Sequence, residues 1–418
     1  MKLRPLMFAA MTLFVSVTTS VQLAGQEHNQ RPPNYVVADL GTLGGTFGEA
    51  KAVNNEGSVA GDATLLGDTV KHAFLWRKGR MKDLETLGGP NSIASSLNER
   101  DEVVGASDTL TADPLGEDPC GFGTYLVCLP FIWQHGSMTP LPTLGGNNGQ
   151  ALTVNSRGLV AGLAENDTWD ASCESLQFKP VLWDKGEIHE LPTVDGDPVG
   201  RVNAINDNGH ATGLTFDCAI GFTHGVLWRD GRTIDLGNPE GFELAPVAIN
   251  NRDQVVGLAE SLDGTAVAFL LENGVLTNLG ILAGDVFSFA FGINNKGQIV
   301  GYSCDQDFDC RAFLWQDGTM TDLNTLVRNP NAPFLEIGNS INSRGQIAGM
   351  TSEPVTNLPA AFLATPSHGE GIGEIASPAV TQRTNPRPRV VLPDDIRRIL
   401  RQRMGFRFAI PALGAPRN

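Results

Sequence analysis

Residues 289–323 read FAFGINNKGQIVGYSCDQDFDCRAFLWQDGTMTDL, and this stretch decides the fold. It holds four short runs in which apolar residues alternate with polar or small ones. The runs are separated by a turn at Asn294 to Gly297, a polar loop, and a turn at Gln316 to Gly318. This pattern predicts four consecutive antiparallel strands, which we label a, b, c and d in chain order.

The same unit recurs along the chain, marked each time by an asparagine that is followed seven residues later by a glycine. The seven pairs are spaced 44 to 57 residues apart and are Asn54/Gly61, Asn98/Gly105, Asn155/Gly162, Asn206/Gly213, Asn250/Gly257, Asn294/Gly301 and Asn342/Gly349. A period near 44 residues predicts a stacked or circular array of one supersecondary unit.

The shape of the unit indicates a circular array. Strand a carries small residues two positions before each repeat asparagine, whereas strand c carries Phe and Trp. Sheets with little bulk at one edge and much at the other converge around an axis, as propeller blades do. The c–d turns end in glycine, as two-residue hairpin turns with left-handed backbone require.

The ends of the array predict how it closes. The seventh unit lacks strand d, and a run from Tyr35 to Leu40 precedes the first unit without belonging to it. A linear solenoid is the alternative, but it would not need this extra strand. We therefore predict an all-β, seven-bladed β-propeller of four-stranded antiparallel blades over residues 27–366, closed by the N-terminal strand.

The two ends of the chain differ from the array. Residues 1–26 have a basic start, an apolar stretch and small residues, as secretory signal peptides do, so we predict an exported protein, extracellular or periplasmic. Residues 367–418 form a Pro/Arg-rich tail with nine Arg and four acids, a charge of +5. We expect this tail to be flexible, with one short amphipathic helix from Asp394 to Met404.

Charge restricts the partners of the protein. The whole chain carries −16, so the part outside the tail carries −16 − 5 = −21. An acidic body argues against nucleic acid as a partner, because phosphate backbones bind basic surfaces. The tail is either solvated or docks, on the acidic propeller or on an anionic membrane or envelope surface. We expect a monomer.

The chain holds six cysteines, an even number that predicts up to three disulfides in an exported protein. Fifteen pairings are open, and free or metal-bound thiols are the alternative. Sequence proximity and adjacent blades favour Cys120 with Cys128, Cys304 with Cys310, and Cys173 with Cys218.

Three runs also carry a family resemblance: Lys71 to Trp76 (KHAFLW), Asp39 to Gly45 (DLGTLGG) and Ala52 to Gly57 (AVNNEG). They resemble the bacterial extracellular repeat of the HAF family, and the resemblance extends over residues 35–366. It implies export and a propeller-like array, and it implies no established activity.

Candidate binding residues lie in the b–c connections, which vary in length while the hairpin turns stay short. Asp305, Asp307 and Asp309 alternate within one such loop and predict a calcium site, with a solvated acidic loop as the alternative. No other cofactor is indicated. Trp169, between Asp167 and Asp170, either stacks on a glycan, anchors a protein partner, or folds back on its own blade.

The function that we expect is that of an exported binding or scaffold module, acting through the b–c and d–a loop face on an unknown extracellular protein or glycan. A structural envelope or matrix protein attached by its basic tail is the alternative. A carbohydrate-active enzyme using Glu49, Glu243 or Asp285 is least favoured. The sequence holds no known catalytic motif, so we predict that the protein is not an enzyme.

Overall fold

Seven separate four-stranded antiparallel sheets make up the described part of the chain, arranged as the blades of a propeller. The structure is a computed structural model, and it describes residues 32–367 apart from 195, 220–221, 238, 240–241, 262–265 and 353–357. Both predicted end segments, the signal peptide at 1–26 and the tail beyond Ser367 with its helix, lie outside the described residues.

The blades follow one another along the chain, each as strands a, b, c and d. Blade 1 is Gly44–Val53 (β2), Val59–Leu65 (β3), Lys71–Arg77 (β4) and Arg80–Asp83 (β5). Blade 2 is Ser92–Leu97 (β6), Val103–Ala112 (β7), Leu126–Gln134 (β8) and Ser137–Pro140 (β9). Blade 3 is Gly145–Val154 (β10), Val160–Asp170 (β11), Ser175–Asp184 (β12) and Glu187–Glu190 (β13). Blade 4 is Val199–Ile205 (β14), Ala211–Asp217 (β15), Phe222–Arg229 (β16) and Arg232–Asp235 (β17).

The last three blades have the same order. Blade 5 is Phe242–Ile249 (β18), Val255–Ser261 (β19), Ala266–Glu272 (β20) and Val275–Asn278 (β21). Blade 6 is Phe287–Ile293 (β22), Ile299–Cys304 (β23), Cys310–Gln316 (β24) and Thr319–Asp322 (β25), followed by a 3-10 helix at Leu323–Leu326. Blade 7 is Phe334–Ile341 (β26), Ile347–Ser352 (β27) and Pro359–Ser367 (β28), completed by Asn34–Asp39 (β1).

The N-terminal strand closes the ring, as the sequence predicts. Strand β1 pairs antiparallel with β28, with Tyr35 opposite Pro366 and Val37 opposite Ala364. Tyr35 and Val37 are buried in a core cluster with residues of blades 6 and 7, including Leu314. The outer edge of blade 7 is therefore covered by a strand from the other end of the chain.

The repeat asparagines form a closed ring of hydrogen bonds. The side-chain Nδ2 of each one donates to the backbone oxygen of the repeat asparagine in the next blade, at 2.8 to 3.1 Å, and that of Asn342 donates to Asn54. The Oδ1 of the same side chain accepts the backbone N–H groups two and four residues later and so fixes its own a–b turn. One residue type therefore builds the turn and joins the blades.

Steric packing requires glycine at the seven repeat positions. A Cβ on any of the seven would lie 1.9 to 2.1 Å from a backbone oxygen of strand a, for example Ile337 for Gly349. In blades 1 and 7 it would also meet the buried strand-c phenylalanine, Phe74 or Phe362, at under 3 Å. Any larger residue would push strands a and c away from strand b.

The hairpin turns confirm the predicted backbone. All six c–d turns have positive φ at both central residues, as at Lys78 (49°) and Gly79 (80°), which defines the type I′ turn. The fourth residue of each a–b turn also has positive φ, and Asp101 and Asp253 occupy this position where glycine does not.

All six cysteines form disulfides in the favoured pairs, Cys120–Cys128, Cys173–Cys218 and Cys304–Cys310. Three disulfides are consistent with an extracellular or periplasmic protein. A search of the described residues for an apolar helix of bilayer-spanning length finds none.

Candidate functional site

The meander places the connections on two faces of the ring. The b–c and d–a connections leave one face, which we call the loop face, and the a–b and c–d turns leave the other, the hairpin face. Two features differ from blade to blade and are candidates for binding: a set of exposed side chains on the loop face and the lining of the central channel.

Five large apolar side chains are exposed in the b–c connections of blades 1 to 3 or at the strand ends that lead into them. We call them the loop-face apolar set: Leu66, Leu110, Leu115, Tyr125 and Trp169, with exposures of 87, 81, 47, 58 and 54 %. Leu66 and Leu110 occupy the same position of the repeat, twelve residues after the asparagine. Exposed apolar residues that lie in neighbouring connections are typical of interaction surfaces.

These three connections are acidic. Residues 66–70, 109–125 and 166–174 contain no Lys, Arg or His. They contain seven carboxylates, of which Asp113 and Glu117 are buried at the base of the blade 2 connection: Asp68, Asp113, Glu117, Asp118, Asp167, Asp170 and Glu174. The loop face of blades 1 to 3 thus combines apolar side chains with negative charge.

The long connection of blade 2 is fastened to blade 3. The Nδ2 of Asn148 donates to Asp113 Oδ2 (2.9 Å) and Glu165 Oε1 (3.1 Å), with Glu117 Oε2 at 3.4 Å. Gln150 Nε2 donates to the backbone oxygen of Pro119 at 2.8 Å. The pKa of Glu117 is raised, mainly by burial and then by the nearby carboxylate of Glu165. Burial also raises the pKa of Glu165, so this pair of carboxyl groups retains a proton near neutral pH. The connection that carries Leu115 and Tyr125 is held in place.

Trp169 lies at the end of strand b rather than in a free loop. It pairs across the sheet with Leu176 in an extension of the β11–β12 hairpin and remains half exposed, so it does not fold back into its blade. Asp170 Oδ1 accepts the backbone N–H of Ser172 (2.9 Å) and so shapes the turn, while Asp167 is exposed. Of the three predicted ligand-binding residues, Trp169 is therefore the one that exposes a large apolar side chain.

The three aspartates predicted to bind calcium lie in a turn that Asp305 shapes. Asp305 Oδ1 accepts the backbone N–H groups of Asp307 (3.0 Å) and Asp309 (3.1 Å), which is the turn that the repeat asparagines make. No group of three His, Cys, Asp or Glu side chains within the described ranges is placed to hold a metal ion. The calcium site therefore stays a prediction: alternate carboxylates converge on a cation only when the backbone curves around it, and here the Asp305 carboxylate accepts hydrogen bonds from its own turn.

The central channel is lined by residues that a β-bulge turns inward. In every blade the a–b register shifts across one extra residue, three positions before the repeat asparagine. A bulge re-aims the side chain that it carries. These seven residues, the bulge ring, line one cavity of about 330 Å³: Lys51, Ser95, Leu152, Asn203, Val247, Phe291 and Asn339.

The cavity lies at the hairpin-face end of the channel. Apart from Glu49, its lining residues stand one to three positions before the repeat asparagines, which surround this end of the channel with their hydrogen-bonded ring. The cavity and the loop-face apolar set therefore lie on opposite faces of the ring.

Charged groups at the cavity are paired. Lys51 forms an ion pair with the buried Asp62, and Lys71 Nζ lies 3.3 Å from the same carboxylate and 4.4 Å from the ring centre of Phe47. Glu49 Oε1 accepts a hydrogen bond from Asn339 Nδ2 at 3.0 Å. The lining therefore holds both signs of charge in balance.

The three carboxylates named for a carbohydrate-active enzyme, Glu49, Glu243 and Asp285, lie in different surroundings. Among them, only Glu49 belongs to the described lining of the cavity. Asp285 is buried in the d–a connection and pairs with Arg311 Nη2 at 2.7 Å, and Glu243 lies opposite Glu260 in blade 5. The three carboxylates stand five, seven and nine residues before their repeat asparagines, so equivalent positions of the repeat do not bring them together.

Sequence reasoning missed the bulge ring, although a signal was present. The residues two and four positions before each repeat asparagine are almost all small, whereas the residue between them is Lys, Ser, Leu, Asn, Val, Phe or Asn. Because this position varies while its two neighbours stay small, its side chain does not pack between the blades as theirs do.

Comparison with known proteins shows a likeness of fold to solved structures. A search of protein-family profiles finds no match, and no curated protein is significantly similar in sequence, so the resemblance to HAF repeats stays a prediction. Among solved structures, a puromycin-hydrolyzing peptidase of Mycobacterium tuberculosis superposes with a TM-score of 0.50 at 12 % identity, over 80 % of this chain and 55 % of the peptidase. This chain thus spans about half the length of that enzyme.

Two further structures are similar at lower scores. Virginiamycin B lyase of Staphylococcus aureus has a TM-score of 0.46 at 10 % identity, over 79 % of this chain and 99 % of the lyase. The β-propeller domain of the Trilobed protease of Pyrococcus furiosus has a TM-score of 0.43 at 10 % identity, over 66 % and 81 %. At such identities the likeness concerns the fold alone.

Proposed function

We propose that this protein is an exported binding module that captures a protein segment on the loop face of blades 1 to 3. The observation that carries the proposal is the loop-face apolar set, which exposes five large apolar side chains in an acidic setting. The partner segment would present apolar side chains flanked by Lys or Arg.

A protein segment fits this surface better than a glycan does. Leu66, Leu110 and Leu115 offer aliphatic surface but neither a flat ring for stacking on a sugar nor hydrogen-bonding groups for its hydroxyls. Tyr125 and Trp169 supply the aromatic anchors that dominate protein interfaces. Glycans are therefore the second class of ligand to be tested.

The test is a selection of displayed peptides on the immobilised full-length mature protein, in parallel with a glycan array. We expect selected peptides to combine Lys or Arg with aliphatic or aromatic residues, and their binding to weaken when NaCl rises from about 50 to 500 mM. Loss of a buried anchor costs about 2 kcal/mol or more, so Trp169→Ala and Leu110→Ser should each weaken binding by about thirtyfold.

The matched control is Val275→Ser, because Val275 is equally apolar and 65 % exposed but lies at a c–d turn on the hairpin face. It should leave peptide binding unchanged. Selection of peptides without basic residues, or equal losses for Val275→Ser and Leu110→Ser, would refute the proposal. Glycan binding that Trp169→Ala abolishes, with no peptide selected, would assign the surface to glycans instead.

A further inference from the structure

We propose that the cavity lined by the bulge ring is a second binding site, and that it takes a neutral hydroxylated ring such as a monosaccharide unit. The site lies at the hairpin-face end of the channel and does not depend on the loop-face proposal. Its volume of about 330 Å³ is at the lower end of the range found for small-molecule pockets, which suits a single ring.

The lining combines apolar and polar side chains. Val247 and Phe291 come from the adjacent blades 5 and 6, and the Phe291 ring is fixed by contact with Phe289, at 4.6 Å between ring centres. Asn339, Lys51 and Ser95 come from the consecutive blades 7, 1 and 2, and Leu152 of blade 3 and Asn203 of blade 4 complete the ring. A hydroxylated ring also presents both kinds of surface, because its C–H face is apolar and its edge carries hydroxyl groups.

Two amides of the bulge ring are placed to accept hydrogen bonds from hydroxyl groups. Asn203 Nδ2 donates to the backbone oxygen of Pro246 (2.7 Å), and Asn339 Nδ2 donates to that of Ala50 (2.9 Å), the equivalent residue of the next blade. Both amides are thereby oriented in the same way. Neither Oδ1 has a hydrogen-bond partner among the described residues, so both are available as acceptors.

The charges at the cavity favour a neutral ligand. Lys51 and Glu49 are the charged residues of the described lining, and Lys51 is paired with the buried Asp62, which also lies 3.3 Å from Lys71 Nζ outside the lining. An anionic ligand would have to draw Lys51 away from a buried carboxylate, which would leave that carboxylate less well compensated. A neutral ligand accepts from Lys51 or Ser95 without breaking the ion pair.

The experiment measures binding to the full-length mature protein by saturation-transfer NMR and calorimetry. The probes are D-glucose, D-galactose, N-acetyl-D-glucosamine and myo-inositol, with D-glucuronate as the charged comparison. Phe291→Leu removes the aromatic face at similar volume and should weaken binding by about tenfold, equivalent to about 1.4 kcal/mol. Asn203→Leu removes one acceptor and should weaken it by about fivefold, which provides a second variant should Phe291→Leu fail to fold.

Two control variants locate the site. Ser343→Ala changes a hairpin residue outside the cavity, and Leu110→Ser changes the loop face, so both should bind the sugar as the parent does. The proposal would be overturned if none of the neutral probes bound at about 20 mM, or if glucuronate bound more tightly than glucose. Equal losses for Ser343→Ala and Phe291→Leu would overturn it as well.

Discussion

Replacing Asn342 by Ala should open the ring of asparagine hydrogen bonds where the last blade meets the first. Its Nδ2 donates to Asn54 O (2.8 Å) and Gln346 Oε1 (2.8 Å), and its Oδ1 accepts from the backbone N–H of Arg344 (3.0 Å) and Gln346 (2.9 Å). Asn342 is 5 % exposed, so water replaces few of these bonds.

The magnitude follows from these four bonds. Each intramolecular hydrogen bond contributes about 0.5 to 1.5 kcal/mol net, and some of the released groups lie at a turn where they reach water, so we expect a loss of about 3 kcal/mol in the free energy of unfolding. Asn342→Asp separates the two roles of the side chain, because it keeps the Oδ1 acceptor of the turn and removes the donor to Asn54.

The assay is equilibrium unfolding in guanidinium chloride with the disulfides intact, followed by the fluorescence of the six Trp residues. Asn208→Ala is the control, because its exposed side chain makes one bond, to the backbone oxygen of Asn251 at 3.1 Å, and its loss should cost less than about 0.5 kcal/mol. If Asn342→Ala stayed within about 0.5 kcal/mol of the parent, the ring would not stabilise the fold and the reasoning would fail.

Three other changes test different parts of the structure. Burial, and then the charge of Asp309, raises the pKa of Glu336 to about 8, so the folded protein holds a proton that the unfolded chain releases above about pH 4.5. Glu336 should therefore lower the free energy of unfolding by up to about 1.4 kcal/mol for each unit by which pH rises from about 4.5 to 8, in addition to any contribution of the Glu117–Glu165 pair. Glu336→Gln should reduce the slope by that amount in unfolding titrations, and an unchanged slope would disprove the assignment. Gly349→Ala would set a Cβ 1.9 Å from Ile337 O, so we expect about 2 kcal/mol or more of destabilisation in the same assay, and a neutral result would contradict the steric account. Replacing the Cys304–Cys310 pair by serines should cost about 2 kcal/mol from the chain entropy of the short loop; mass spectrometry under non-reducing conditions verifies the parent disulfide, and equal stability of the two proteins would count against it.

The architecture could be predicted from the sequence because its determinants are local. The a–b and c–d turns need left-handed backbone at fixed positions, and Gly or Asp stands there. The alternation of strand c and the extra N-terminal strand then fix the number of strands and the closure. The disulfide pairs followed from short separations and adjacent blades.

The candidate sites stay predictions, and the structure adds only where their residues lie. Trp169 was singled out by its place outside strand c, and it is exposed on the loop face as a binding residue should be. The acidic loop at Asp305 matched a calcium pattern in composition, but its first carboxylate caps a turn. Composition does not show which backbone groups a carboxylate will meet, since that depends on how the loop curves.

The sequence by itself determined the repeat, the strand order and the closure of the ring, because turn chemistry and side-chain alternation act over a few residues. Only the tertiary structure determined the contacts that the repeats make with one another. Asn342 bonds to Asn54 because the ring brings together residues 288 positions apart, and Phe291 and Lys51 line one cavity because a bulge in each strand turns both toward the axis. Contacts between blades depend on the curvature of the whole ring, and no local segment of sequence encodes that curvature.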